Sequence, residues 1–161
     1  MAVRVQSEPF DAGNELATFL TRRDDSGGVA SFTGIVRGHN AEGQISAMTL
    51  EHYPGMTEGM LERIESEARN RWQLDDSLLI HRYGRLQPGE PIVLVITASA
   101  HRRDAFEACE FLVDWLKTKA PFWKQEEMAS GGTRWVEAQA SDDEAAARWA
   151  PPRSGGKRAA D

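Results

Sequence analysis

Segments with the periodicity of strands alternate with segments with the periodicity of helices along most of the chain, and this alternation restricts the fold more than any other feature. The pattern predicts helices over residues 10–22, 54–72 and 103–118. It predicts strands over residues 3–6, 29–36, 45–53, 77–83, 92–98, 122–127 and 135–138. Because several neighbouring strands are separated by short turns rather than by helices, the sequence favours an α+β domain with a mixed or antiparallel sheet.

The chain is predicted to form one folded domain followed by a tail. Its 161 residues match the size of a single domain. After about Ser141 the helix and strand signals fade, and residues 151–158 combine proline, glycine and basic residues. We therefore predict a domain over residues 1–140 and a flexible, partly basic C-terminal tail over residues 141–161.

Charge and hydropathy narrow the class of protein. The net charge of −6 argues against a general nucleic-acid-binding protein. The longest apolar stretch, residues 91–98, is far shorter than the ~20 residues that a membrane-spanning helix needs. The N-terminal residues lack the layout of a signal peptide, and the single cysteine, Cys109, cannot form an internal disulfide. The expectation is a cytoplasmic protein that binds neither nucleic acid nor membrane.

Several motifs that would identify a cofactor or a nucleophile do not occur. The sequence contains no phosphate-binding GxxxxGK[ST], no GxGxxG, no CxxC and no HExxH. The four histidines do not have the spacing of metal ligands, so no metal site is predicted. Cys109 falls in an apolar stripe with Phe106, Val113 and Leu116 of the third helix, which is typical of a structural core cysteine.

Basic residues at the ends of predicted elements are the remaining candidates for chemistry. Arg37 follows the strand over residues 29–36. His101 and Arg102 lie between a strand and the third helix, where free N–H groups and the helix dipole favour an anion. The alternative is that His101 or Asp104 caps the helix and that Arg102 is solvated. It accounts for the same positions equally well, and sequence position does not choose between the two explanations.

Three lysines lie at or beyond the end of the third helix. Lysines commonly complement the helix dipole there, which accounts for Lys117 and Lys119 without any function. At ~100° per residue Lys117 points only ~20° away from Phe106, at the margin of the predicted buried face. Lys119 lies as close to another apolar residue of that face, so geometry alone does not separate the two. From its position alone, Lys124 in the following strand is predicted to be an exposed strand residue.

Several separated runs of residues form a recognisable series. They are FTGIVR at 32–37, LEHYPGM at 50–56, IHRYG at 80–84, SAHR at 99–102 with Ala105 and Phe106, LKTKAPFWKQE at 116–126, and Gly132 with Trp135 and Val136. Together and in this order they resemble the large, catalytic subunit of molybdopterin synthase. The resemblance covers about residues 3–138, and its Lys-x-x-x-Pro-x-Trp-Lys-x-Glu stretch with an upstream His-Arg is specific.

The resemblance implies a fold, a reaction and partners. The fold is an α/β-hammerhead-like single domain. The enzyme transfers sulfur from the thiocarboxylated C-terminal Gly-Gly of a small ubiquitin-like subunit to cyclic pyranopterin monophosphate, which forms the dithiolene of molybdopterin. Two large subunits form a central homodimer within a heterotetramer, and no metal or cofactor is implied in this step.

The resemblance also assigns residues to the site. By the matching motifs, Lys117 and Lys124 are the catalytic residues. The residues that contact substrate are Ile35, Val36, Arg37, His101, Arg102, Lys117, Lys124, Gln125 and Glu126. The chemistry agrees, because arginine and histidine suit a phosphate and a lysine whose pKa is lowered by burial can act as acid or base. No protein cysteine is needed when the partner delivers the sulfur.

Two other functions account for part of the same pattern. One is a different enzyme that acts on a small phosphorylated substrate with the same basic residues. The other is a non-catalytic subunit that only binds the tail of a partner. Turnover of a pterin precursor with a sulfur-loaded partner separates the three.

Overall fold

A computed structural model of the chain describes residues 2–21, 23–136 and 140–150. The strands within them are β1 (Ala2–Gln6), β2 (Gly28–Ile35), β3 (His39–Asn40), β4 (Gly43–His52), β5 (Asp76–Arg82), β6 (Gly84–Leu86), β7 (Pro91–Ser99), β8 (Phe122–Met128) and β9 (Thr133–Val136). The helices are α1 (Ala12–Leu20), α2 (Met56–Arg71), α3 (Arg102–Thr118) and α4 (Ala140–Ala147). The predicted α+β class is confirmed.

The first sheet carries the main core. Its strand order is β1-β5-β7-β2, with β1 parallel to β5 and the other pairs antiparallel, so the sheet is mixed as predicted. Successive side chains of a strand point to opposite faces of the sheet. Consecutive residues of β5 and of β7 are apolar and buried, so both faces of these two strands are apolar. Helices α2 and α3 cover the face with Leu79 and Val95, and α1 covers the face with Ile80 and Leu94.

The second sheet is built on β4. Strands β8, β6 and β3 pair with β4, and β9 pairs with β8, all antiparallel. A third cluster of buried side chains, Val36, Leu50, Leu86 and Ile92, joins the two sheets. Strands β3 and β6 were absent from the sequence prediction, because two or three residues are too short to show a period.

Helix α3 packs on a different stripe from the one predicted. Cys109 and Leu116 are buried as expected, but the Phe106 side chain is 64% exposed. The buried stripe instead includes Ala105, Ala108 and Leu112, because small residues let the helix approach the sheet; the Thr97 hydroxyl donates a 2.7 Å hydrogen bond to the Ala105 carbonyl. The argument that placed Lys117 beside a buried Phe106 is therefore wrong.

The predicted flexible tail begins with ordered structure. Helix α4 packs against α3, and Trp149 follows it with its ring edge-on to Trp72 and Phe111 at centroid distances of 5.5 and 5.6 Å. The prediction of a tail is therefore wrong for residues 141–150, and residues 151–161 lie outside the described residues. The sequence of α4 has no apolar stripe, and the apolar contact of this segment with the core comes from Trp149 beyond the end of the helix. None of the helices in the described part of the chain has the length and apolar character to cross a membrane.

Candidate active site

The turn between α3 and β8 brings Lys117 and Lys124 towards each other. The Lys119 N–H donates a 2.8 Å hydrogen bond to the Trp115 carbonyl and ends the helix, and Pro121 follows within the turn. Strand β8 then runs back beside the end of α3. The positive charge of Lys117 lowers the pKa of Lys124, so the two ammonium groups share one electrostatic environment.

Lys124 is the more enclosed of the two lysines. Its side chain lies on the same face of β8 as Phe122 and the buried Glu126. Burial is the main cause that lowers its pKa below the ordinary lysine value, and Lys117 adds to it, while the carboxylates of Asp142 and Glu126 oppose the shift. Lys124 can therefore give or take a proton closer to neutral pH than an exposed lysine can.

Lys117 and Lys119 differ in their surroundings, although both lie at the end of α3. The Lys117 side chain is 45% exposed, and its Nζ lies 3.7 Å from Asp142 Oδ1 of α4. Lys119 is exposed and forms no ion pair with any described residue. The sequence prediction missed Asp142, because its segment carried no helix signal.

Glu126 and Gln125 lie on opposite faces of β8. Glu126 accepts a 2.6 Å hydrogen bond from Asn40 Nδ2 and pairs with Arg134 Nε at 3.3 Å, so β3 and β9 hold it in place. Gln125 faces the other side of the sheet with Trp123, because side chains alternate along a strand. Glu126 thus shares a face with Lys124, whereas the predicted substrate contact Gln125 does not.

Two histidines that the sequence prediction left out of the site lie beside Lys124. The His81 ring stacks on Phe122 at 3.7 Å between centroids, and His52 lies opposite Phe122 in the β4–β8 register. His81 Nδ1 is 2.9 Å from the Arg82 carbonyl oxygen. Burial, with smaller contributions from the charges of Lys124 and His52, lowers the pKa of His81 to about 4 against the opposing effect of the hydrogen bond to the Arg82 carbonyl, so His81 is neutral near pH 7. The sequence does not indicate that His81 lies near Lys124, because this proximity depends on the packing of β5 against β8.

The end of β2 supplies the second group of predicted site residues. Arg37 is exposed where the chain leaves β2, and Ile35 is 56% exposed. Val36 is only 3% exposed and belongs to the third core cluster, while its backbone bonds to Glu90 and Gly89. The side chain of Val36 is therefore unavailable to a ligand, which leaves Ile35 and Arg37 as the accessible pair.

His101 and Arg102 lie at the opposite end of the β2–β7 pair from Arg37. His101 is the N-cap residue of α3, but its side chain makes no capping hydrogen bond, so the capping alternative for its imidazole is wrong. The register pairs Gly28 with Ser99 next to these residues, and Ile35 with Pro91 at the other end. Seven residue steps of strand place the two groups roughly 24 Å apart. One copy of the chain does not bring them together.

Cys109 has the surroundings predicted for it. It is buried in the main core, and burial raises the pKa of its thiol to about 11. A protonated, enclosed thiol is a poor nucleophile. The described residues contain no group of three or more His, Cys, Asp or Glu side chains that could hold a metal ion.

Comparison with known proteins identifies the family of the chain. The sequence model of the MoaE protein family matches residues 5–119. The chain belongs to the MoaE protein family.

Proteins named molybdopterin synthase catalytic subunit are similar to this MoaE family member over nearly its whole length. The one from Cereibacter sphaeroides is 52% identical over 149 residues, which cover 92% of this chain and 100% of that protein. The one from Escherichia coli K12 is 54% identical over 145 residues, which cover 90% of this chain and 95% of that protein.

Solved structures of MoaE proteins have the same fold. The molybdopterin biosynthesis MoaE protein from Burkholderia ambifaria matches with a TM-score of 0.78 and 48% identity, covering 94% of this chain and 100% of that chain. A protein–protein complex of subunits 1 and 2 of molybdopterin-converting factor from Helicobacter pylori contains a chain that matches with a TM-score of 0.69. That match covers 86% of this chain and 90% of that chain at 18% identity, and it supports the fold alone.

Proposed function

We propose that this MoaE family member is the catalytic subunit of molybdopterin synthase. It transfers sulfur from the thiocarboxylated C terminus of a small ubiquitin-like subunit to cyclic pyranopterin monophosphate, and so forms the molybdopterin dithiolene. The observation that carries the proposal is the enclosed Lys124 beside Lys117, in a chain more than half identical to relatives of that name.

The two lysines have complementary tasks in this reaction. The thiocarboxylate sulfur attacks a carbon of the substrate and displaces an oxygen substituent, and water then cleaves the acyl–sulfur bond, which leaves the sulfur on the pterin and releases the partner as a carboxylate. Both steps require proton transfer and neutralisation of negative charge. Lys124, with its lowered pKa, suits the transfer of protons. Lys117 is more exposed and suits the attraction of the anionic tail of the partner. The buried thiol of Cys109 supports the delivery of sulfur by the partner rather than by this chain.

A second copy of the chain supplies the part of the site that one copy lacks. Strand β2 is an edge of the first sheet, and its Phe32 and Ile35 side chains are exposed. Antiparallel contact between two β2 edges about a two-fold axis brings His101 and Arg102 of one copy next to Arg37 of the other. The phosphate of the substrate then lies between basic residues from both copies.

The small subunit needs a separate docking surface. A second group of exposed large apolar side chains lies on the second sheet and at the start of α2, and consists of Tyr53, Met56, Trp123 and Trp135. Tyr53 and Trp123 are in edge-to-face contact at 4.7 Å. Exposed apolar groups of this kind mark interaction surfaces. Trp123 is next to Lys124 in the chain but on the opposite face of β8, so the C-terminal tail of a partner bound here must extend past β8 to reach the lysines.

We further propose that the reaction takes place in the cytoplasm and uses no metal or cofactor of this subunit. The lone buried cysteine fits a reducing compartment. The basic residues that remain accessible supply the charge that the anionic substrate requires.

The test is a reconstituted assay with purified chain, thiocarboxylated small subunit and cyclic pyranopterin monophosphate. Formation of the dithiolene product supports the proposal. Stable binding of the small subunit without product would favour a non-catalytic binding subunit. Turnover of another phosphorylated compound, with none of the pterin, would favour the other enzyme class.

A further inference from the structure

Helix α4 places one carboxylate at the lysine pair. Asp142 Oδ1 lies 3.7 Å from Lys117 Nζ, and the Asp142 side chain is 27% exposed. The same carboxylate raises the pKa of Lys124, against the effects of burial and of Lys117. Asp143, the next residue of the helix, is exposed and forms no ion pair with any described residue.

The position of Asp142 is determined by contacts at the other end of α4. Trp149 Nε1 donates a 2.7 Å hydrogen bond to Asp114 Oδ2 of α3. Arg148 pairs with Glu110 and Asp114 of α3, each at 2.7 Å. Because these contacts dock the segment on α3, the proximity of Asp142 to Lys117 belongs to the fold of the domain.

The other charged groups around the lysines are already engaged or neutral. From β8, Glu126 binds Asn40 and Arg134. From β5, His81 is neutral near pH 7 because its pKa is about 4. From β4, His52 lies 3.7 Å from Glu58 of α2. Among the described residues, Asp142 is therefore the carboxylate near both lysines that has no other cationic partner.

We propose that Asp142 is a positioning residue of the sulfur-transfer site, which holds the Lys117 side chain at the pocket and offsets part of the charge of the lysine pair until an anion enters. This inference rests on the proposed function. When the thiocarboxylate tail or the substrate phosphate arrives, it takes over the charge balance that Asp142 provides in the empty site.

The replacement Asp142→Asn keeps the size of the side chain and removes its charge. Lys117 then loses its ion-pair partner, and we expect kcat to fall by about 10-fold because a reacting group is less well placed. An influence that raises the pKa of Lys124 is also lost. The limb of the pH–rate profile that depends on Lys124 therefore moves to lower pH, whether this lysine acts as acid or as base.

Two further variants serve as controls, one at the next residue of α4 and one at position 142 itself. Asp143→Asn makes the same change in net charge, and we expect the wild-type kcat and pH profile. Asp142→Glu keeps the carboxylate, and we expect it to restore the pH profile even where kcat recovers only in part. Thermal melting of each variant establishes that the protein is folded.

The outcomes separate this inference from the proposed function. If Asp142→Asn has the wild-type kcat and pH profile while Lys117→Ala and Lys124→Ala are inactive, the role of Asp142 is refuted and the proposed function stands. An equal effect of Asp143→Asn refutes it as well, because total charge then accounts for the result. If the lysine variants are as active as wild type, the proposed site itself fails. Should Asp142→Asn not fold, an Asp142→Glu protein with a shifted pH profile overturns the inference.

Discussion

His81 and Lys124 lie close together in the fold, and burial moves both away from their ordinary protonation equilibria. The pKa of His81 falls to about 4, and the pKa of Lys124 is lowered as well. Both groups are thus biased towards their neutral forms. The lowered pKa of Lys124 brings its proton exchange closer to neutral pH than that of an exposed lysine.

The lowered pKa of His81 makes the domain sensitive to acid. Unfolded His81 has an ordinary pKa of 6.5 and takes up a proton below that pH, whereas folded His81 does so only near pH 4. Stability is therefore lost as the pH falls from about 6.5 to 4, by up to ~3 kcal/mol from this group. We expect His81→Gln to lose less stability than wild type between pH 7.5 and pH 4.5 in urea denaturation. An equal loss in the two proteins contradicts the assignment, and His39→Gln, at an exposed position, serves as the control.

Single residues show where the sequence is informative and where it is not. The core position of Cys109 was predictable, because an apolar stripe surrounds it in the sequence. The exposure of Phe106 was not, because the choice of buried stripe depends on how closely α3 approaches the sheet. Glu126 and Asn40 are far apart in the chain, and only the β-sheet register brings them into contact.

Helix α3 is the element that carries predicted site residues at both of its ends. Arg102 begins it, Lys117 lies in its last turn, and its 17 residues span roughly 25 Å. The N-terminal end of α3 packs on the turn that precedes β2. There the Gly27 N–H donates a 3.0 Å hydrogen bond to the Ser99 carbonyl, and a Cβ on Gly27 would lie 2.1 Å from the Ala100 carbonyl oxygen.

Gly27→Ala is expected to displace the turn that carries His101 and Arg102. The contact is with backbone, so the turn must move, and we expect a loss of stability of roughly 1–3 kcal/mol with a raised KM for the pterin. The matched control is Gly59→Ala in α2, where a Cβ meets no atom within 4 Å and stability should rise by ~1 kcal/mol. Chemical denaturation and initial rates measure the two effects. A Gly27→Ala protein with wild-type stability and KM would contradict the close contact between Gly27 and the turn before α3.

The sequence correctly predicted the helices and strands in which the spacing of apolar residues shows by itself which positions are buried. Helices α2 and α3 and strands β5 and β7 have enough apolar residues to be identified without any knowledge of their neighbours. Helix α4 differs, because Trp149 beyond its end provides the packing contact. The site therefore contains an acidic residue, Asp142, that no local pattern indicated.

At the scale of the whole molecule, the separation of Arg37 from His101 and Arg102 means that the proposed substrate site needs two copies of the chain. The two groups lie at opposite ends of the β2–β7 pair. The proposed two-fold dimer through the β2 edge would form two equivalent sites, each with Arg37 from one copy and Arg102 from the other. The resemblance indicated both groups, but no sequence pattern shows which copy contributes each residue.

Mixed dimers of two defective variants test the shared site. Arg37→Ala and Arg102→Ala are each expected to be nearly inactive. Co-expressed at equal levels, they form half of their dimers as mixed pairs with one intact site, so activity should return to about a quarter of wild type. Light scattering should give about twice 17.9 kDa for every sample. Mixed dimers that stay as inactive as the separate variants would refute a site shared between copies.

The most direct test of the account compares three lysines in one assay of dithiolene formation with the thiocarboxylated small subunit. We expect Lys117→Ala and Lys124→Ala each to lose at least ~100-fold in rate, the scale of removing an acid–base group, while both still fold and bind the partner. Lys119→Ala, at an exposed position on the same helix end, should stay within a few-fold of wild type. If Lys119→Ala were as damaging as Lys117→Ala, the lysines would act through total charge, and the specific pair of Lys117 and Lys124 would be contradicted.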